Sequence, residues 1–270
     1  MGSVEERSIL EQRRKRFFQQ QLIRWFSLWG RDLPWRRTQD PYAILVSEVM
    51  LQQTQVERVQ EYYTRFLDTF PTLQALAEAP WEQVLACWQG LGYYQRARHL
   101  HQAAREIVER YGGLFPTTLQ ELTRLPGVGR YTAGAILSFA FHQEVPILDT
   151  NVKRLLQRVF VRRVSRQPAR MEKRLWRMAR AVILPGKAWI INQAMMDFGA
   201  TVCTARKPRC AHCCLQTICI AYQRTTTQLP LFAAEYEMAE EEEIEALVAE
   251  TLERYGQTKT WNHSRGGNDE

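Results

Sequence analysis

The chain has 270 residues, 45% of them hydrophobic and 24% charged, enough to bury a core as one large domain or two small lobes. No apolar run reaches the length of a membrane-spanning helix and no secretory pattern opens the sequence, so a reducing, cytoplasmic setting is expected. The net charge of +7 is unevenly divided: residues 225–270 carry eleven acidic and three basic side chains, a net of −8, which leaves +15 on residues 1–224.

A body so basic predicts a polyanionic partner, because phosphate neutralisation supplies most non-specific nucleic-acid affinity. A solvated basic surface is the competing explanation. Phe18, Leu22, Phe26 and Trp29 keep a three-to-four spacing, as do Val59, Tyr62, Tyr63, Phe66 and Leu67. Ala97, Leu100, Ala104, Ile107, Val108 and Tyr111 form a further stripe, stopped by Gly112-Gly113. Helices are then expected over 130–142, 150–160, 171–182 and 188–200. Prolines such as Pro71, Pro80, Pro116 and Pro146 fall between these stretches. No alternating pattern predicts a strand, and the fold class is all-α.

Leu125-Pro126-Gly127-Val128-Gly129-Arg130 joins two helical segments. Its glycines permit backbone angles closed to other residues and leave amides uncovered, which at a helix N-terminus can hold an anion. A plain interhelical turn reads equally from the same residues. Five of the six cysteines lie between 203 and 219, and Cys203, Cys210, Cys213 and Cys219 have the spacing C-x6-C-x2-C-x5-C. Such clustering points to metal rather than to disulfides, and four thiolates suit zinc or an iron–sulfur cluster. Cys214 reads as a bystander. Arg206, Lys207 and Arg209 lie between the first two thiols as expected phosphate contacts. From Thr225 to Leu231 the chain reads as linker. Glu240 to Glu243 then open an amphipathic helix through Ile244, Leu247, Val248 and Leu252, expected to fold onto the basic body and compete with DNA. The last ten residues are expected to be disordered.

With Leu33-Pro34-Trp35-Arg36, Ser47-Glu48-Val49-Met50-Leu51-Gln52-Gln53-Thr54-Gln55 and Gly90-Leu91-Gly92-Tyr93-Tyr94, the sequence resembles MutY-type adenine DNA glycosylases of the helix-hairpin-helix superfamily. Ile147-Leu148-Asp149-Thr150-Asn151-Val152-Lys153-Arg154, Asn192-Gln193-Ala194-Met195-Met196-Asp197 and the cysteine loop follow in the family's order, and the likeness runs from about Trp25 to Tyr222. The resemblance implies a six-helix barrel over roughly 37–145 and an iron–sulfur lobe built from 1–36 and 146–224, with 225–270 as an acidic tail. It implies one [4Fe-4S] cluster on the four cysteines. The partner it implies is double-stranded DNA containing mismatched adenine, acted on by a monomer away from membranes.

By the same resemblance Glu48 is the acid that protonates the adenine ring and Asp149 the carboxylate that supports the sugar cation, with Tyr131 and Asn151 in the catalytic set. Gln53 and Tyr93 match residues that wedge into the duplex. Arg31, Trp35, Leu51, Tyr131 and Gln193 match positions around the extruded base, and Arg36, Gln52, Gly127, Val128, Gly129 and Lys153 are further expected DNA contacts. The residues support the two carboxylate roles independently. Adenine leaves poorly unless protonated, so one carboxyl must keep its proton while another stays ionised. Glu48 lies among Ile44, Leu45, Val49, Met50 and Leu51, where desolvation raises a pKa, and Asp149 precedes a helix as an N-cap. Lysine-bearing relatives form a Schiff base and cut the strand; Tyr131 lacks that amine, so base removal without efficient strand cleavage is expected.

Thr150 departs from the glycine usual after the catalytic aspartate. Typical members also carry a C-terminal domain that recognises 8-oxoguanine, whereas the acidic helix occupies the segment after the cysteine loop here. The alternatives are a thymine or uracil mismatch glycosylase of the same superfamily and a non-catalytic mismatch-binding protein.

Overall fold

The computed structural model describes residues 4–225 and 238–257, with side chains from residue 11. Among them are thirteen α-helices and no strand. In chain order these are α1 (Val4–Trp29), α2 (Pro41–Leu51), α3 (Val56–Thr69), α4 (Leu73–Glu78), α5 (Trp81–Trp88), α6 (Gln95–Tyr111) and α7 (Leu119–Leu122). There follow α8 (Arg130–Phe139), α9 (Thr150–Phe160), α10 (Pro168–Ala181), α11 (Ala188–Thr201), α12 (Ile220–Thr225) and α13 (Glu241–Arg254). No helix among the described residues is long and apolar enough to cross a membrane.

Local chemistry sets the helix ends. Asp40 caps α2 by accepting from the Tyr42 N–H at 2.9 Å, with Pro41 at the first helical position. Thr118 caps α7 and its hydroxyl also meets Glu121, so two side chains close that terminus. Gly112 ends α6 in the left-handed region, where the Gly113 N–H reaches back to the Ile107 carbonyl at 3.0 Å. Helix α8 stops at Phe139, short of the expected 142, because the chain turns left-handed at His142 and the Gln143 N–H bonds the Leu137 carbonyl. Helix α10 starts before the expected 171, since Pro168 serves as an N1 residue.

Helix α2 is buried all round from Tyr42 to Met50, enclosed by α3, α6 and α8, as a helix without a polar face must be. Helices α4 and α5 complete this group through α6 and α3. A second group packs α9 between α10, α11 and α12, and lays α1 along α11. One continuous hydrophobic core runs through both, from Phe18 and Phe26 to Ile136, Leu155 and Phe198. The groups also meet where α8 touches α11.

Helix α13 shares that core. Ile244, Val248 and Tyr255 are buried, and Tyr255 lies against Phe26 (5.7 Å, stacked) and Trp189 (5.4 Å). Glu241, Glu243 and Glu245 pair with Arg16, Arg24 and Lys187. Gln20 bonds the backbone of Ala239 in both directions, and the Gln257 amide donates to the Arg36 carbonyl at 2.8 Å. The expected docking on the basic body is therefore present, but its partners are α1 and α11. The expected linker beyond Thr225 and the disordered last ten residues lie outside the described residues.

Candidate active site and cysteine centre

Glu48, near the end of α2, is 3% exposed, and its Oε2 is buried without a hydrogen-bond partner. Burial pushes this carboxyl up to about 7; the Tyr131 hydroxyl donating toward it pulls the other way, the Asp149 charge adds to the rise, and the Arg36 charge opposes it. Tyr131 itself is driven well above the usual range, first by burial and then by the Glu48 and Asp149 charges, so it remains a proton-bearing donor. Glu48, Tyr131, Asp149 and Arg36, drawn from four separate segments, thus share one electrostatic neighbourhood.

Asp149 is the N-cap of α9. Its Oδ1 accepts from the Val152 N–H at 2.6 Å and its Oδ2 from the Asn151 amide at 2.8 Å. These bonds favour the anion, as the sequence predicts for a cap. Burial is the larger influence, however, and the net displacement of its pKa is upward. Asn151 in turn accepts from Arg154 at 2.7 Å, and Arg154 reaches the carbonyls of Gly199 (2.6 Å) and Cys203 (2.8 Å). A chain of hydrogen bonds therefore joins Asp149 to the cysteine loop. A Cβ on Gly199 would stand 2.8 Å from the Asn151 Cβ, so glycine there lets α11 press against the start of α9.

The residues expected around an extruded base separate into two sets. Trp35 is 8% exposed and meets Tyr63 edge-on at 5.5 Å, Leu51 is half-buried at the end of α2, and Gln193 is buried on α11. Arg36, one of the further expected DNA contacts, is buried, and its guanidinium bonds both Asp197 oxygens (2.8 Å each) and the Arg31 carbonyl (2.7 Å). Arg31 clasps the same Asp197 through its backbone N–H, Nε and Nη2. The two cations offset the cost of burying that carboxylate, and they anchor the 31–36 strap.

Gln53 and Tyr93 are exposed, and both occupy the left-handed backbone region, at φ 58° and 49°. Strain of this kind persists only where the surroundings hold it. Arg96 does so: buried beneath both tips, it donates to the carbonyls of Val49, Met50, Gln52 and Gly92 and to the Thr54 hydroxyl. Its guanidinium also lies 5.3 Å from the Tyr93 ring centre. Half-buried Gln52 enters this array through its carbonyl.

In the hairpin Gly127 has φ +73°, and a Cβ there would meet the His99 side chain at 2.7 Å. The Val128 side chain is buried, and its N–H donates to the Leu125 carbonyl at 3.1 Å. Gly129 caps α8, whose own hydrogen bonding begins with Ala133 N–H, leaving the first-turn amides directed outward as an anion site. Lys153 is half-buried and pairs with Glu172 at 2.8 Å. With Thr150, Arg154, Gln157 and Arg158 it lines a basic hollow of about 350 Å³.

Cys203, Cys210, Cys213 and Cys219 line a single cavity of about 220 Å³ with Leu155, Arg158 and Phe198. Burial raises the Cys213 thiol to about 11, and its nearness to Cys219, Cys203 and Cys210 adds to the rise. Among the described residues no three His, Cys, Asp or Glu side chains stand close enough to share one ion. A ring of four thiols around such a volume fits a polynuclear group better than a lone zinc. Cys214 faces away, its thiol 3.9 Å from the Gln21 carbonyl. Arg158 ties the loop down through the carbonyls of Thr204 and Ala205.

Sequence reasoning missed Asp197, Asn192, Arg96, Arg154 and Gly199 as supports of the site. Asn192 is fully buried and bonds Ser138 and the Val145 carbonyl, fixing the approach to Asp149. Asn192 and Asp197 lie within a recognised motif, but their partners are scattered along the chain.

Residues 46–181 match the HhH-GPD superfamily of base excision DNA repair proteins. The chain is 47% identical over 218 residues to an adenine DNA glycosylase of Mus musculus, covering 77% of this chain and 42% of the mouse protein, so it spans less than half of that relative. It is 38% identical over 217 residues to a thymine-DNA glycosylase of Aeropyrum pernix, covering 79% of this chain and 97% of that one. A solved structure of a thermostable thymine-DNA glycosylase superposes with a TM-score of 0.73 at 29% identity, covering 79% of this chain and 99% of that chain.

Proposed function

Because the chain belongs to the HhH-GPD superfamily of base excision DNA repair proteins, we propose that it hydrolyses the N-glycosidic bond of adenine mispaired with guanine or 8-oxoguanine in duplex DNA. The observation that carries this reading is the pairing of Glu48, buried and held near neutrality, with Asp149, capped by amides. Glu48 gives its proton to the adenine ring as the glycosidic bond breaks, and the bonding electron pair leaves with the base. The sugar carbon, left cationic, is stabilised by the Asp149 carboxylate until water adds its hydroxyl there and releases its other proton, which restores the acid form of Glu48. Tyr131 orients the acid and offers no amine, so the strand is left uncut. Gln53 and Tyr93, braced by Arg96, open the duplex, while the α8 amides hold a phosphate.

The likeness to thymine-DNA glycosylases along nearly their whole length supports a second reading, mismatched thymine or uracil as the base removed. Duplexes bearing one A·G, A·8-oxoguanine, G·T or G·U pair, incubated with the protein and then treated with alkali, separate the two. Cleavage at adenine is expected; cleavage only at G·T or G·U would establish the second reading, and none at all a binding protein. Assayed as these 270 residues, the protein should prefer 8-oxoguanine over guanine by roughly 10- to 100-fold at most, since one wedge contact is worth about 1–3 kcal/mol.

The four cysteines are the proposed ligands of one [4Fe-4S] cluster. Bound there, four thiolate–iron bonds would pin the loop that carries Arg206, Lys207 and Arg209. Purified protein should be brown, with broad absorption near roughly 400 nm and about four irons per chain. Cys210→Ala should lower the iron content and Cys214→Ala should leave it unchanged. Zinc alone, in protein prepared without oxygen, would overturn the assignment.

A further inference from the structure

Helix α10 carries a feature that the active site does not use. Its core face is Met171, Leu175 and Ala179. Arg170, Lys173, Arg177 and Arg180 are exposed, and at 100° per residue they fall within an arc of about 80° on one side of the helix. None of the four takes part in an ion pair among the described residues. Cations at three- and four-residue spacing repel one another and weaken the helix that carries them. A polyanion laid along the stripe removes that repulsion.

Two contacts place the stripe. Trp176 of α10 lies under the guanidinium of Arg130, the first residue after the hairpin, at 3.9 Å. Glu172 pairs with Lys153 in the first turn of α9 at 2.8 Å. On the helix wheel Glu172 and Trp176 lie between the core face and the cationic arc, so the arc is the next face outward from the hairpin and the start of α9. From Arg170 to Arg180 the helix rises about 15 Å, comparable to the axial span of roughly four phosphates on one strand.

We propose that Arg170, Lys173, Arg177 and Arg180 form a second, sequence-independent contact for the phosphates of duplex DNA, engaging the flank beyond the hairpin. The inference rests on the reading of duplex DNA as substrate. The stripe holds the duplex away from the mismatch and contributes to affinity in proportion to the length of DNA that reaches it. Its charge also makes binding more sensitive to salt than the hairpin and cysteine loop alone would.

The test compares the full chain with R170Q/K173Q/R177Q/R180Q on two A·G duplexes, one of about three helical turns and one of about a single turn centred on the mismatch. On the long duplex the variant should bind at least ~30-fold more weakly at low salt, and the slope of log K against log salt should shrink by about 2 to 4. On the short duplex both proteins should bind alike. The charge-preserving R170K/R177K/R180K should retain the long-duplex affinity and slope. Equal affinity and slope on the long duplex would overturn the inference, as would a loss of the same size on both lengths. Failure of the unaltered chain to bind either duplex would instead sink the underlying reading of the substrate.

Discussion

Glu48→Gln should lower single-turnover adenine excision by at least ~100-fold while duplex binding persists, and Asp149→Asn should do the same. Glutamine keeps the shape of a protonated Glu48 and can still face Tyr131, so the loss reports the missing proton and not a damaged core. Asparagine still accepts at the α9 cap but brings no negative charge to the sugar cation. The pH dependence carries the sign of the mechanism. The acid works only when protonated, and Glu48 is displaced up to about 7 by burial. Excision by the unaltered protein should therefore hold on the acidic side of that value and fall as pH rises through it. In Glu48→Gln this descending limb should vanish along with most of the rate. Near-normal excision by either variant removes that residue from the chemistry.

Tyr255→Ala should lower stability by about 3–5 kcal/mol, the range for emptying a buried aromatic site, which in a chain of this size moves the unfolding midpoint by on the order of 10 °C. The ring lies between Phe26 and Trp189, and its hydroxyl donates to the Arg31 carbonyl at 3.1 Å. Tyr255→Phe keeps the stacking and loses one hydrogen bond, so its cost should be about 1 kcal/mol. Calorimetric or spectroscopic melting of the three proteins decides the matter: an alanine variant that melts with the parent would show α13 to be loosely attached. The sequence led to a different expectation, that removing the acidic segment frees the DNA surface. With Ile244, Val248 and Tyr255 in the core, its removal uncovers apolar surface first, and any gain in DNA affinity must be measured on protein shown to be folded.

What could be read from the sequence follows from how far apart the determinants lie. The stripes of α3 and α6 announce themselves because each helix reports its own buried face at local spacing. The cysteine centre is legible for the same reason, its four thiols lying within seventeen residues. Glu48 and Asp149 combine a local signal, apolar neighbours or a cap position, with a family motif. Arg36 shows the limit. As a cation in a basic body it reads as a DNA contact, and only the fold brings it to Asp197, more than 150 residues away. Arg96 is hidden in the same way, since its role is to collect carbonyls from a distant turn. In α13 the amphipathic face is legible through Ile244 and Val248, but Thr251 and the C-cap Tyr255, both buried, are not read as part of it.

The docking of α13 on α1 also sets an order for making the protein. Contacts within residues 41–139, those of α2 with α8 included, need no later residue and can form once that stretch has left the ribosome. Helix α1 has to wait: Gln20 finds Ala239 219 residues later, and Arg31 meets Tyr255 at a separation of 224. At 5–20 residues per second, synthesis from Phe139 to Tyr255 lasts on the order of 10 s. For that interval Phe26 lacks its stacking partner Tyr255, while Trp25 gains Phe198 partway through it. The face of α1 that receives α13 is thus open to chaperones at this stage, and slowing translation after Thr225 should prolong its exposure.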